Sequence, residues 1–237
     1  MRLPYFPLHT VLFPHLPLPL HIFEERYRAM ARDILADGSP FGGRFVVAMM
    51  TDGPEVGGNA AATHIGTVCE VRSAEQLPDG RWVLLAVGLQ RARLGPIDRS
   101  GAYALVDAEP LDDVPGERAD ELLPTVQAAL DGYMATVKRF VAQAASVAHD
   151  SMAVTEVAAS LDQVLKPIRL PEDPAAASYA VGGVLQIELS RKQHLLELPD
   201  AATRLREELA LLRRESRLLA DGALPPVSTN DLAYHPN

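Results

Sequence analysis

The stretch Leu3–Tyr27, LPYFPLHTVLFPHLPLPLHIFEERY, determines how the rest of the chain is interpreted. Its five prolines fix φ and remove backbone donors, so the proline-rich part forms neither a helix nor an ordinary central strand. Between the prolines lies a large aromatic and aliphatic surface, which is unfavourable in water. The sequence therefore predicts extended pieces and fixed turns, which either cross a core or line a groove.

An amphipathic helix is predicted to follow over Phe23–Leu35. Its apolar residues recur at spacings of four and three, which places them on one helical face. They are Phe23, Tyr27, Met30 and Ile34. The charged residues between them are expected to face outward.

Short strands separated by turn signals are predicted next, over Arg44–Met50, His64–Val71, Arg81–Val87, Arg91–Leu94 and Tyr103–Ala108. An Asp79-Gly80 turn is typical of a hairpin between the second and third strands. Gly88 is predicted to break the chain between the third and fourth. Together these signals predict a small, closed or nearly closed β-domain over residues 1–112.

The composition changes after an acidic connector that contains proline and glycine, and helical patterns replace strand patterns. We predict a C-terminal α-helical bundle over residues 117–221, and hence an α+β fold class. Asp173 and Asp200 are expected N-caps and Gly222 a C-cap. The predicted helices are Glu121–Ala145, Val154–Leu165, one that begins at Asp173-Pro174, Val184–Leu198 and one that ends near Leu219. Residues 222–237 are predicted to be disordered.

The run from Phe6 to Met30, FPL-x-x-VLFP-x-x-x-LPLHIFE-x-RY-x-x-M, resembles the opening signature of the Lon protease N-terminal, substrate-binding domain family. The blocks Gly66–Arg91 and Leu185–Glu215 resemble the same family, so the likeness covers nearly the whole chain. At His15 the family more often has glycine. The resemblance implies a PUA-like β-fold before the helical bundle, and a role in recognising unfolded or degron-bearing polypeptides.

The sequence contains neither of the patterns that a Lon protease needs for catalysis. An ATPase module requires a G-x-x-x-x-G-K-[ST] loop and peptide cleavage requires a serine-lysine dyad, and neither is found here. We therefore predict a stand-alone, non-enzymatic family member without a cofactor.

No metal or nucleophile is predicted. His9, His15 and His21 recur every six residues, but this spacing in a turn-broken segment does not make them converge on one ion. Cys69 lies within a predicted strand and has no nearby base in the sequence pattern, so we interpret it as a small packed side chain.

Charge and hydropathy limit the partners and the location. A net charge of -9 disfavours a nucleic-acid partner. The chain has no apolar run of membrane-spanning length and does not open with a signal-peptide pattern. We expect a cytoplasmic protein.

The candidate polypeptide-binding residues are the turn Phe13, Pro14, His15, Leu16 and Pro17, with Tyr27 and Arg91 as hydrogen-bonding groups at its rim. Glu24 and Arg26 match the family signature, and we interpret them as an ion pair or a cap at the helix start. The alternative is that the proline-rich stretch fills the core through Phe6, Leu8, Leu12, Leu20 and Phe23.

Two classes of function remain open. The first is an adaptor or holdase that binds polypeptide, with a protease as a possible partner. The second is a PUA-like binder of a small ligand or RNA. The last helix also carries Leu205, Leu209, Leu212 and Leu219, a seam that fits either packing within its own bundle or self-association.

Overall fold

The computed structural model describes residues 1–52, 61–147 and 167–222. Contacts divide the chain into two units. The first contains Met1–Val114 and Ile187–Leu198, and the second contains Pro115–Gln186 and Pro199–Pro226. The predicted helix Val154–Leu165 and the predicted disordered tail lie outside the described residues, apart from Gly222.

The first unit is built on a mixed sheet. Its strands are β1 (Arg2–Leu8), β2 (Pro17–Ile22), β3 (Arg44–Asp52), β4 (Ala61–Ala62), β5 (Ile65–Gln76), β6 (Trp82–Asp98) and β7 (Leu105–Pro110). The pairings β1–β7, β7–β6, β6–β5, β5–β3 and β3–β1 form a closed ring, in which only β1–β3 is parallel. Outside the ring, β2 pairs with β6 and β4 pairs with β3.

The proline-rich stretch enters the sheet twice, which confirms the prediction of extended pieces. β1 holds two prolines because its halves have different ladder partners: Arg2–Pro4 pairs with β7 and Tyr5–Leu8 pairs with β3. Alternate residues of β2 are buried, so one face of this strand packs on the core.

Helix α1 (Glu25–Leu35) covers this core with Tyr27, Met30 and Ile34, as its spacing predicts. Phe23 is half-buried and precedes the helix. The alternative in which the stretch fills the core holds for Phe6, Leu8, Leu12 and Leu20, which are at most 6% exposed.

The hairpin at Asp79-Gly80 is confirmed, because Gln76 pairs with Trp82 across it. The predicted break at Gly88 is wrong, since β6 continues through it to Asp98. The β5–β6 ladder shifts register between Val68 and Cys69, where Cys69 pairs with Gly88, so the chain has a β-bulge there rather than a break in the strand.

The described helices that follow the sheet are α2 (Ala119–Val147), α3 (Pro174–Val184), α4 (Leu189–Glu197) and α5 (Ala201–Ala220), of which α2, α3 and α5 belong to the second unit. Asp173 and Asp200 accept from backbone N–H groups three residues on, so both predicted N-caps are confirmed. Gly222, with φ of +79°, follows the last turn of α5. α5 packs against α2 and α3.

The helix predicted over Val184–Leu198 is confirmed, but it begins five residues later than predicted. α3 ends at Val184, and a separate helix α4 (Leu189–Glu197) begins after four non-helical residues. α4 belongs to the first unit, where Gln193 donates through Nε2 to the Ile65 carbonyl of β5 at 3.0 Å. Local pattern could not predict that α4 belongs to the first unit, because the residues that α4 contacts there are far away in the sequence.

Candidate functional site

The turn between β1 and β2 is fastened to β6 by backbone hydrogen bonds. The His15 N–H donates to the Gly88 carbonyl at 2.8 Å, and the Gly88 N–H donates to the Leu16 carbonyl at 3.0 Å. His15 has φ of +66°, a left-handed conformation that suits glycine. The turn therefore keeps the geometry that glycine favours although the sequence has histidine there.

The structure buries four of the seven predicted binding residues, namely Phe13, Pro14, Tyr27 and Arg91. His15 and Pro17 are exposed, and Leu16 is half-buried against the core. Only the second half of the turn is thus available to a partner in this structure. The family signature contains core residues as well as surface residues, and sequence alone does not separate them.

Arg91 is 3% exposed and holds together three parts of the first unit. Its guanidinium donates to the Leu196 and Leu198 carbonyls at 3.0 and 2.7 Å, at the C-terminal end of α4. It also lies 3.1 Å from Asp113 Oδ1 and donates to the Asp112 carbonyl at 3.3 Å. A buried arginine with four acceptors is a structural tie rather than a rim group.

Tyr27 lies in the core, where its ring meets Phe6 edge to face at a centroid distance of 4.3 Å. Arg26 lies over the same ring at 4.4 Å, and its Nε is 3.0 Å from Glu24 Oε2. Glu24 makes no side-chain cap. Of the two roles that the sequence left open for Glu24 and Arg26, the structure has the ion pair.

The exposed part of the turn continues into an apolar surface on β2 and β6. The register pairs Pro17 with Val87, Pro19 with Leu85 and His21 with Val83, so the six side chains share one face. The opposite face carries Leu18, Leu20, Leu84 and Ala86, which are buried. We call the six outward residues the β2–β6 outer face: Pro17, Pro19, His21, Val83, Leu85 and Val87.

This outer face has the character of a contact surface. Leu85 is 40% exposed, and Pro17 and Pro19 are exposed beside it. On the β5 side, Glu70 pairs with Val87 and Glu75 with Val83, so carboxylates border the apolar strip. Contiguous exposed apolar residues with a polar margin are typical of binding sites.

A comparison of the sequence with known protein families identifies the family. The family model described as "ATP-dependent protease La (LON) substrate-binding domain" matches residues 2–214. This chain belongs to the Lon substrate-binding domain family. The resemblance inferred from the Phe6–Met30 signature is confirmed.

Curated relatives agree with this membership. Lon protease of Escherichia coli K12 is 27% identical over 223 residues, and Lon protease 1 of Myxococcus xanthus is 22% identical over 224. Each match covers 92% of this chain and 25% of the relative, so the chain spans about a quarter of the length of these proteases.

A Lon N-terminal domain protein from Xanthomonas campestris matches with a TM-score of 0.56 at 22% identity, covering 89% of this chain and 98% of that structure. The N-terminal domain of Mycobacterium avium complex Lon protease also gives 0.56, at 15% identity, covering 90% and 98%. The fold is that of the Lon N-terminal domain, and the predicted α+β class is confirmed.

The part of this Lon-family chain that the structure describes shows little sign of a metal site or of a reactive nucleophile. No group of three or more histidine, cysteine or acidic side chains within it could hold a metal ion. Burial raises the pKa of the Cys69 thiol, which donates to the Thr67 carbonyl at 3.4 Å. A protonated buried thiol is a poor nucleophile. None of the described helices combines the length and apolar character of a membrane span.

The pairing of β2 with β6 is the information that sequence reasoning lacked. Pro19, Val83, Leu85 and Val87 were not among the predicted binding residues. The alternation in Arg81–Val87 indicates a strand with two faces, but only the register shows which outward side chains lie beside the turn.

Gly88→Ala is expected to lower the free energy of unfolding by about 1–3 kcal/mol, because a Cβ there would lie 2.6 Å from the Phe13 carbonyl oxygen. Alanine in place of glycine normally adds up to about 1 kcal/mol of stability, but contact with fixed backbone outweighs this gain. Urea denaturation followed by the fluorescence of Trp82, the only tryptophan, measures the change.

Gly95→Ala on the same strand is the matched control. Its added Cβ would meet the Asp107 carbonyl oxygen at 3.4 Å, an ordinary contact, so a change within about 0.5 kcal/mol is expected. Equal stability of the two variants would show that the turn does not depend on close approach at Gly88.

Proposed function

We propose that this domain recognises unfolded or degron-bearing polypeptide segments through the β2–β6 outer face and the adjoining residues His15 and Leu16. The observation that carries the proposal is an apolar strip of exposed prolines and leucine, flanked by half-buried valines, beside a turn fixed to β6. Membership of a family named for substrate binding in a protease supports a polypeptide as the ligand.

A client segment would bind this face through its side chains rather than by adding a strand to the edge of β2. Among the described strands β2 pairs only with β6, so no described strand covers its other edge. Pro17 and Pro19 have no N–H group, which removes donors that an added strand would need. A client would instead lay apolar side chains across Pro17, Pro19 and Leu85, while its polar groups stay hydrated near Glu70 and Glu75.

We further propose that the closed ring of strands is a PUA-like barrel, that α2, α3 and α5 form the helical bundle, and that the chain acts without catalysis as an adaptor or holdase. The ring of pairings supports the first part, and the packing of α5 on α2 and α3 supports the second. The match to the substrate-binding part of Lon supports a recognition role.

The test is the fluorescence anisotropy of a labelled, permanently unfolded polypeptide titrated with the full chain, with a folded protein and a short RNA as controls. We expect saturable binding of the unfolded polypeptide alone. Leu85→Asp should weaken this binding by at least about tenfold, because it places a charge in the middle of the apolar strip.

Leu218→Asp is the matched control, since Leu218 is 38% exposed and lies on α5 rather than on the sheet. It should change the dissociation constant less than about twofold, and circular dichroism should show both variants folded. Unchanged binding by folded Leu85→Asp would exclude this face. Preferential binding of RNA would favour the alternative function.

A further inference from the structure

A groove open to solvent runs between α2 and α5 within the second unit, with a volume of about 700 Å³. Its floor is formed by small side chains of α2, and arginines of both helices line it. These floor and rim residues are Ala128, Ala129, Gly132, Arg139, Arg213 and Arg217. The lining, as far as the structure describes it, contains no carboxylate.

Gly132 is unusual for its position inside α2. Glycine is among the least favourable residues in a helix interior, yet an added Cβ here would meet no atom within 4 Å. No internal contact therefore requires glycine at this position. Its absent side chain leaves open space on this side of α2, where another backbone has room to approach the helix.

The arginines are placed for an external anion. Arg139 donates through Nη2 to Thr136 Oγ1 at 3.1 Å, and that hydroxyl donates to the Gly132 carbonyl at 3.0 Å, which positions the guanidinium beside the floor. Arg213 and Arg217 lie one turn apart on α5, and neither makes an ion pair with a described residue. Arg214, outside the groove, lies 3.5 Å from Glu215.

We propose that the α2–α5 groove binds an acidic polypeptide segment, whose carboxylates pair with Arg139, Arg213 and Arg217 and whose backbone lies over Gly132. Charge complementarity selects this occupant, because three cations without a lining carboxylate occur in a chain of net charge -9. The small apolar floor suits peptide side chains. The lining has no aromatic ring on which a nucleic-acid base could stack.

This site is additional to the β2–β6 outer face, which lies in the other unit and carries an apolar strip. The strip itself contains no lysine or arginine, and Glu70 at its margin is already paired with Arg44 and Arg72, so an acidic segment would gain little there. The two surfaces therefore select different features of a polypeptide, hydrophobic content in one case and negative charge in the other.

The probe is a fluorescein-labelled ten-residue peptide of alternating glutamate and alanine, compared by anisotropy with its glutamine-for-glutamate counterpart and with a ten-nucleotide RNA. The full chain should bind the acidic peptide saturably and the neutral peptide at least about tenfold more weakly. The double variant Arg213→Ala/Arg217→Ala should reduce affinity for the acidic peptide about tenfold. Arg214→Ala is the control and should change it less than about twofold.

Gly132→Leu tests the groove independently of charge. The replacement has room in the free protein and improves helix propensity, so it should fold normally while its side chain blocks the floor and removes peptide binding. Leu85→Asp should leave acidic-peptide binding unchanged, which separates this proposal from the one above. Equal binding of acidic and neutral peptides, tighter binding of RNA, or normal binding by folded Gly132→Leu would overturn it.

Discussion

Arg91→Met is expected to lower the free energy of unfolding of the first unit by about 3–5 kcal/mol. The substitution keeps most of the aliphatic volume but removes every donor of a guanidinium that is 3% exposed. The Leu196 and Leu198 carbonyls and the Asp113 carboxylate would then each lose a charge-assisted hydrogen bond, and such bonds are about twice as strong as neutral ones. Urea denaturation followed by Trp82 fluorescence gives the magnitude.

Arg93→Met provides the control on the same strand. Arg93 has a side-chain exposure of 63% and lies 4.0 Å from the exposed Glu109, so its loss should cost less than about 0.5 kcal/mol. Because Arg91 binds the end of α4, hydrogen exchange in Leu189–Glu197 should also accelerate in Arg91→Met. A loss below about 1 kcal/mol, or unchanged exchange in α4, would show that Arg91 is not the tie that its contacts indicate.

Elements set by local chemistry could be predicted from the sequence. The Asp79-Gly80 hairpin, the apolar stripe of α1 and the N-caps Asp173 and Asp200 depend on residues a few positions apart. Each element lies where the sequence predicts it, and each is formed by the interaction on which its prediction rests. Short-range hydrogen bonding and periodicity are visible in a sequence because both partners are close together in it.

Features set by distant contacts could not be predicted. The sequence pattern at Gly88 predicts a strand break. In the structure the missing side chain of Gly88 instead lets the carbonyl of Phe13, 75 positions earlier in the chain, approach β6. The sequence left two roles open for the seam on α5, and packing within the second unit holds for Leu205, Leu212 and Leu219, which are buried. In both cases the residue pattern is visible in the sequence, but the residues that it contacts are distant in the chain and the pattern does not identify them.

The candidate site shows the same limit. The signature that identifies the family includes Tyr27, a core residue, as well as the exposed His15 and Pro17. A match to the family signature therefore identifies the fold, but it does not show which of the matched residues are exposed and available to a partner. Leu85 became a candidate only when the β2–β6 register placed it beside Pro19.

Phe6→Ala is expected to destabilise the first unit by about 3–5 kcal/mol. The Phe6 ring is fully buried, with centroids 4.3 Å from Tyr27 and 6.0 Å from Phe45, both in edge-to-face geometry. Removing it leaves a cavity between β1, β3 and α1 and loses both aromatic contacts. A loss of this size is a large share of the roughly 5–15 kcal/mol that stabilises a typical domain.

The comparison with Leu85→Ala tests whether the first unit separates stability from recognition. Leu85 is 40% exposed, so its truncation should cost less than about 1 kcal/mol in the same Trp82-monitored denaturation, while weakening binding of an unfolded polypeptide severalfold. Phe6→Ala should show the reverse, with reduced stability and normal affinity in the fraction that remains folded. Because Phe6 faces the core and Leu85 faces solvent, equal effects of both variants on stability and binding would contradict this division of the sheet into a packed face and a binding face.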